Sequence, residues 1–137
     1  MPYGFPDWIA KKVEVWEKSD WSIMQGQSKN FYIGTNVPAN DYKSVEVYTV
    51  PEGKMLFITD IGFLRETNVG TIIVYIVITK NLESQTIYGT AAQQGGGIAF
   101  KTPKIVPAGW TLNVGFWNRE SNDSYMYATI GGFEVES

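Results

Sequence analysis

Val50-Pro51-Glu52-Gly53-Lys54-Met55-Leu56 is matched later in the chain by Val106-Pro107-Ala108-Gly109-Trp110-Thr111-Leu112. Each copy reads V-P-x-G-x-x-L and leads into an apolar run. Proline fixes φ near the value that a turn needs at its second position, and glycine accepts the positive φ that many turns require. Both copies therefore predict a turn followed by a strand. Two such units in one chain favour a β-sandwich built from two related halves.

The chain from about residue 43 onward consists of strand-like segments separated by turn residues. β-branched and aromatic residues concentrate in these segments, and Gly, Pro, Asn and Ser separate them. Strands are predicted near residues 43–50, 54–64, 71–79, 85–90, 97–102, 110–118 and 124–135. Because no interval is long enough for a crossover helix, the sequence predicts the antiparallel sheets of a sandwich or barrel.

Apolar residues occupy both faces of the segment 71–79, Thr-Ile-Ile-Val-Tyr-Ile-Val-Ile-Thr. A strand of this kind should be central, with one face covered by the opposite sheet. Its other face would then be covered by a second subunit or by an extra segment of the chain. Oligomerisation is therefore expected, although a deep strand with one apolar outer face is the simpler alternative.

The last two predicted strands raise the question of which face their aromatic residues occupy. In residues 110–117 the even-numbered side chains are apolar and should face the core, whereas Trp117 falls on the outer face. There Trp117 is expected to meet Tyr125 or Tyr127 of the next strand. Gly131-Gly132 interrupts that strand, and a bulge at this point would change the face of the residues that follow.

Residues 1–40 are interpreted as an N-terminal arm, and residues 41–137 as the sandwich domain. Asp7 could cap a short helix that carries Ile9, Val13 and Trp16 on one face, yet residues 12–17 alternate like a strand. Both alternatives stay open. An aromatic arm of this kind could pack on a neighbouring molecule or fold back on its own sandwich.

The composition excludes several kinds of chemistry. The 137 residues include neither cysteine nor histidine, which removes disulfides, the cysteine nucleophile and the most frequent general base. The net charge of −3 and the scattered basic residues disfavour nucleic-acid binding. We therefore expect a protein that is not an enzyme and uses no cofactor. A glycosidase that relies on Asp60 and Glu66 is the formal exception.

The loop with Asn118, Glu120, Asn122 and Asp123 gathers oxygen atoms of the type that calcium prefers. Its spacing matches no calcium loop, so a solvated hairpin is favoured and no metal is predicted. The longest apolar run, residues 72–78, is far shorter than the ~20 residues of a membrane helix. No signal peptide is visible either. A virion or extracellular location is expected, without membrane insertion.

Aromatic residues provide the remaining functional signal, with five Trp and eight Tyr in the chain. Some of them must lie outside the core, where they could form a protein interface or a platform for sugar rings. The candidate binding residues are Trp8, Trp16, Trp117, Tyr125 and Tyr127. A subunit contact is favoured over a sugar.

From Tyr48 to Glu136 the chain resembles the small jelly-roll domains of bacteriophage and other virion proteins, such as decoration proteins, head fibres and receptor-binding tips. The features that carry this resemblance are the two V-P-x-G strands and the closing segment Ala128-Thr129-Ile130-Gly131-Gly132-Phe133-Glu134-Val135. The pattern is also similar to cupins, but the histidines of a cupin metal site are missing.

The resemblance implies an all-β, jelly-roll-like antiparallel sandwich of about seven to nine strands. It also implies a structural protein that oligomerises, as a trimer, and binds a capsid or other virion protein through its N-terminal region. The alternative is a carbohydrate-binding module in which Trp117, Tyr125 and Tyr127 stack on a glycan.

Overall fold

The computed structural model describes residues 26–67 and 69–137, which form eight strands. The strands are β1 (Gln27–Val37), β2 (Asp41–Thr49), β3 (Lys54–Arg65), β4 (Thr71–Lys80), β5 (Glu83–Gln93), β6 (Gly95–Val106), β7 (Thr111–Asn118) and β8 (Ser124–Glu136). Sheet A has the order β1-β8-β3-β6, and sheet B has the order β2-β7-β4-β5. All neighbouring strands are antiparallel. No helix in the described ranges is long and apolar enough to span a bilayer.

This strand order is that of a jelly roll, in which eight strands form two interlocking Greek keys across two sheets. The chain changes sheet at every connection except the β4–β5 hairpin, so consecutive strands mostly lie in opposite layers. The predicted all-β, jelly-roll-like sandwich is confirmed. Each of the seven predicted strands is present, with ends that differ by a few residues.

The two V-P-x-G segments form equivalent turns. Gly53 and Gly109 have φ angles of 80° and 81°, as the positive-φ position of such a turn requires. The prolines occupy the first turn position instead of the second, because the carbonyl oxygens of Pro51 and Pro107 accept hydrogen bonds from the residues three further on. Backbone hydrogen bonds also link the two segments to each other. The Val50 N–H donates to Trp110 O at 2.9 Å, and the Gly109 N–H donates to Val50 O at 2.8 Å.

The core lies between the sheets and consists of the inward side chains of both layers. Strand β4 contributes four consecutive inward residues, Ile72, Val74, Ile76 and Ile78. From β7, Leu112, Val114 and Phe116 are fully buried as predicted, while Trp110 packs partly buried at the margin of the core. The prediction that 71–79 is an inner strand is correct, since β4 pairs with β5 on one side and β7 on the other.

Strand β1 corrects the predicted extent of the sandwich. Residues 27–37, which were interpreted as part of the arm, pair with β8 along their whole length and form an edge of sheet A. Residues 27–37 are therefore part of the sandwich. The strand is hard to recognise locally because it opens with the polar residues Gln-Ser-Lys-Asn and contains Gly34. The alternatives for residues 7–17, and Trp8 and Trp16 themselves, lie outside the described residues.

The expected bulge lies in β3 and not at Gly131-Gly132 of β8. The register of β3 shifts between Ile58 and Asp60 against both of its partners, while β8 continues without interruption. Phe133 consequently stays on the outer face of sheet A, where its ring stacks on Phe57 at 5.1 Å. Glu134 points inward and is buried.

Candidate functional site

The predicted cluster of Trp117, Tyr125 and Tyr127 does not form, because these residues lie on opposite sides of the molecule. Trp117 belongs to β7 of sheet B, and both tyrosines belong to β8 of sheet A. Each side chain points outward, as its strand alternation predicts, but the two outward directions are opposite. The sandwich therefore has two separate aromatic faces.

The outer face of sheet B carries Trp117 within a group that we call the sheet B cluster: Tyr42, Ile73, Tyr75, Val77 and Trp117. The ring centroid of Tyr42 lies 5.9 Å from that of Trp117 and 6.4 Å from that of Tyr75. Tyr42 extends across Gly115, where a Cβ atom would lie 2.0 Å from the tyrosine oxygen. The guanidinium carbon of Arg119 lies 5.9 Å from the Trp117 ring, at the edge of the cluster.

Strand pairing makes the centre of this face free of charge. One row across the sheet runs Tyr42, Trp117, Ile73, Ala91, and the next runs Ser44, Gly115, Tyr75, Gly89. Glu46 begins the following row, beside Asn113 and Val77. The apolar outer side of β4 was the sequence signal for this surface. The sequence did not show that β2 pairs with β7, which is the pairing that brings Tyr42 to Trp117.

The outer face of sheet A carries a tyrosine cluster, Tyr32, Tyr125 and Tyr127. The Tyr127 ring centroid lies 5.4 Å from that of Tyr32 and 4.9 Å from that of Tyr125. Gly34 lies beneath the rings of Tyr125 and Tyr127, which would collide with a Cβ atom there. Tyr32 is 68% exposed. It was missed because β1 was assigned to the arm, although Phe31-Tyr32-Ile33 carries the alternation of a strand.

Glu66 fixes the orientation of Tyr127. The Tyr127 hydroxyl donates a 2.7 Å hydrogen bond to Glu66 Oε2. This bond to a carboxylate, reinforced by burial, raises the pKa of Tyr127 well above its usual value. The bond uses only one of the two carboxylate oxygens, so Glu66 keeps its second oxygen available as an acceptor.

A groove lies beside the tyrosine cluster on sheet A. It has a volume of about 370 Å³. Its lining consists of Tyr32, Gly62, Phe63, Leu64, Glu66, Tyr127, Ala128 and Thr129. We call this feature the sheet A groove. Its floor is low because Gly62 pairs with Gly97 on one side and with Thr129 on the other.

The carboxylates of Asp60 and Glu66 are poorly placed for glycoside hydrolysis as a pair. Asp60 lies over Gly131 and accepts a 2.8 Å bond from Thr59, whereas Glu66 is held by Tyr127. Gly131 and Tyr127 are four residues apart on one strand, which corresponds to about 13 Å. Paired carboxylates in glycosidases lie roughly 5 to 9.5 Å apart.

The oxygen-rich loop 118–124 is organised around the fully buried Arg65. Asn118 Oδ1 accepts hydrogen bonds from Arg65 Nη1 at 2.8 Å and from the Glu120 N–H at 3.0 Å. Asn118 Nδ2 donates to Val37 O at 3.0 Å and to Asn122 O at 2.8 Å. The loop oxygens thus serve as internal acceptors. No group of three or more Asp, Glu, His or Cys suited to a metal ion occurs within residues 26–67 and 69–137.

Several solved structures are similar to this chain at low sequence identity. A chain solved as PirA has a TM-score of 0.53 at 10% identity, covering 72% of this chain and 92% of that one. A chain of infectious bursal disease virus, Gx strain, has a TM-score of 0.45 at 6% identity and covers 84% of this chain and 33% of its own. A pilus protein of Bacillus endospore appendages has a TM-score of 0.39 at 13% identity, covering 80% and 90%.

At these sequence identities the likeness concerns the fold alone. Of the three structures, PirA is the one whose TM-score supports a shared fold. Together with the strand order, it agrees with the jelly-roll-like sandwich expected from the resemblance to virion proteins. No protein-family profile matches the chain, and no curated protein sequence matches it either.

Proposed function

We propose that this protein is a non-enzymatic structural protein that assembles with copies of itself, as a trimer, and attaches to a larger structure such as a virion shell. The observation that carries this proposal is the uncharged aromatic centre of the outer face of sheet B. A structural role also agrees with a composition that lacks cysteine and histidine. The proposed location is the virion or the extracellular space.

The sheet B cluster has the composition of an interface centre. Buried centres of protein interfaces are depleted in charge and enriched in Trp and Tyr, and Trp, Tyr and Arg contribute most often to binding energy. Tyr42, Tyr75 and Trp117 supply these rings, and Arg119 lies at the rim. Burial of their apolar area would stabilise an assembly by ~25 cal/mol per Å². The N-terminal segment with Trp8 and Trp16 is proposed as a further contact.

A charge placed in the sheet B cluster tests this function. In Val77→Lys an ammonium group replaces an apolar side chain on β4, an inner strand of sheet B, and an interface would have to desolvate it. The matched control is Ile105→Lys, which places the same charge on the outer face of sheet A, where Ile105 pairs with Phe57. Sedimentation velocity at high micromolar concentration gives the native mass of each variant, and circular dichroism checks that each one is folded.

The proposal expects an oligomeric wild type, a monomeric Val77→Lys variant and an unchanged Ile105→Lys variant. A wild-type protein that sediments as a compact monomer at these concentrations would refute the assembly role. A loss of mass in the Ile105→Lys variant alone would place the contact on sheet A instead.

A further inference from the structure

The sheet A groove is a depression across the strands, bounded by aromatic residues. The row Tyr32, Thr129, Gly62 crosses its floor. The next row, Asn30, Gly131, Asp60, adjoins it, with the Asp60 carboxylate lying over Gly131. Tyr127 and Leu64 rise on one side, and the Phe57–Phe133 stack rises on the other. The lining residues belong mainly to three neighbouring strands, β1, β8 and β3, and three strands at ~4.8 Å spacing give the depression a length of roughly 10 Å.

The walls and floor of the depression offer both stacking surfaces and hydrogen-bonding groups. Tyr32 presents an aromatic ring that is 68% exposed and is held beside Tyr127. The Thr129 hydroxyl leans over Gly62, where a Cβ atom would lie 2.8 Å from it. The Asp60 and Glu66 carboxylates accept hydrogen bonds from hydroxyl groups. A flat ring beside several acceptors suits a ligand that has both apolar C–H faces and hydroxyl groups.

Charge narrows the class of ligand. The floor row, the row of Asn30 and the row of Gly34, Tyr127, Leu64 and Gly95 contain no lysine or arginine. Lys29, on β1, points inward and pairs with Glu134 at 3.7 Å. Glu66 lines the groove and Asp60 lies in the adjoining row, so an anionic ligand would be repelled, whereas a neutral polyhydroxylated ligand would be accepted.

The strand arrangement disfavours an extended peptide as the ligand. The floor belongs mainly to β8 and β3, which are inner strands paired on both sides. Their backbone groups are therefore used within the sheet, and a peptide lying on the floor of the groove could not pair with β8 or β3 as a further strand.

We infer that the sheet A groove binds a neutral oligosaccharide, with Tyr32 stacking on a sugar ring and Thr129, Asp60 and Glu66 accepting or exchanging hydrogen bonds with its hydroxyl groups. This site differs from the proposed assembly surface, since the sheet A groove and the sheet B cluster lie on opposite sides of the sandwich. A protein attached through sheet B would leave the groove accessible.

The test uses the full chain and a glycan array that contains neutral oligosaccharides of glucose, galactose, mannose, xylose and N-acetylglucosamine, with acidic glycans and a lysine-rich peptide panel alongside. Titration calorimetry then measures the affinity of the best neutral oligosaccharide for the wild type and for Tyr32→Ala. Because Tyr32 is exposed, its replacement should leave the fold intact. The matched control is Leu82→Ala, an exposed apolar side chain in the β4–β5 turn, away from both faces.

We expect the wild type to bind a neutral oligosaccharide. The affinity should fall at least tenfold in Tyr32→Ala and should be unchanged in Leu82→Ala. Failure of all neutral glycans to bind at millimolar concentration would overturn this inference, and so would binding restricted to acidic glycans or to basic peptides. An unchanged affinity in Tyr32→Ala would also overturn it. The native mass of Tyr32→Ala, measured in parallel, separates this outcome from a failure of the assembly proposal.

Discussion

The hydroxyl of Tyr48 donates a 2.7 Å hydrogen bond to Glu134 Oε1 and thereby links the two sheets through the interior of the sandwich. Tyr48 lies on β2 of sheet B, and Glu134 lies on β8 of sheet A. Lys29 completes the group, with its Nζ atom 3.7 Å from Glu134 Oε2 and 5.1 Å from the centre of the Tyr48 ring. A buried carboxylate is thus paired on both of its oxygens, as its burial requires.

Replacement of Tyr48 by Phe should lower the free energy of unfolding by about 1 to 2 kcal/mol, because Glu134 loses one of its two partners while staying buried. Urea denaturation measures this change. Tyr42→Phe is the control, since the Tyr42 hydroxyl has no hydrogen bond within the described segments. An equal loss in both variants would contradict a specific role for the Tyr48–Glu134 bond.

Alkaline pH should weaken the fold through the same tyrosine. Burial, together with the bond to Glu134, raises the pKa of Tyr48 to about 12 from its usual value of 10.0. The stabilisation is therefore complete below pH 10 and is lost as the pH rises toward 12, because the unfolded chain releases the proton first. Tyr127, whose pKa is also raised, acts in the same direction. Unfolding curves between pH 9 and 12 should fall less steeply for Tyr48→Phe than for the wild type, and parallel curves would count against this coupling.

The Arg65 network should make the fold more sensitive to the loss of the Asn118 side chain than to the loss of the Asn113 side chain. Asn118→Ala removes the bonds to Arg65, Val37 and Asn122 inside the protein, at an expected cost of about 3 kcal/mol. Asn113→Ala is the matched control. That side chain bonds Thr79 on the outer face of sheet B, and its loss should cost less than about 1 kcal/mol. Thermal denaturation of both variants checks the order, and a reversed order would refute it.

Two adjacent glycines in β8 should respond differently to a methyl group. A Cβ atom on Gly132 would lie 2.1 Å from the backbone oxygen of Phe57, which is fixed by the sheet. On Gly131 it would meet the carboxylate of Asp60 at 2.5 Å, and that side chain can rotate away. We expect Gly132→Ala to lose at least about 2 kcal/mol and Gly131→Ala less than about 1 kcal/mol. Equal losses in guanidinium denaturation would contradict the close approach of β3 and β8.

Truncation should distinguish the structural boundary from the one read from the sequence. A chain that begins at Gly26 retains all eight strands and should unfold cooperatively. A chain that begins at Asp41 lacks β1, so the edge of β8 is exposed and the core is without Ile33 and Val37. NMR spectra of the backbone amide groups show whether each of the two chains is folded. A well-dispersed spectrum from the shorter chain would show that β1 is not part of the minimal fold.

Local chemistry made most of the strands predictable. Turn residues and side-chain alternation act over a few neighbouring positions, so the V-P-x-G turns, the inward face of β7 and the central character of β4 were visible in the sequence. The segment of strand β1 was assigned to the arm because its polar start and Gly34 weaken the alternation of side chains. Its place is set by β8, which lies about a hundred residues further along the chain.

The candidate site depended on pairing over long distances. The sequence showed that Trp117, Tyr125 and Tyr127 point away from the core, but it could not show that β7 and β8 belong to different sheets. Only the jelly-roll order separates these rings and brings Tyr42 to Trp117 and Tyr32 to Tyr127. The alternation of a strand fixes on which side of its own sheet a residue lies, whereas the neighbour across the ladder depends on which strands pair, and the packing of the whole chain decides that.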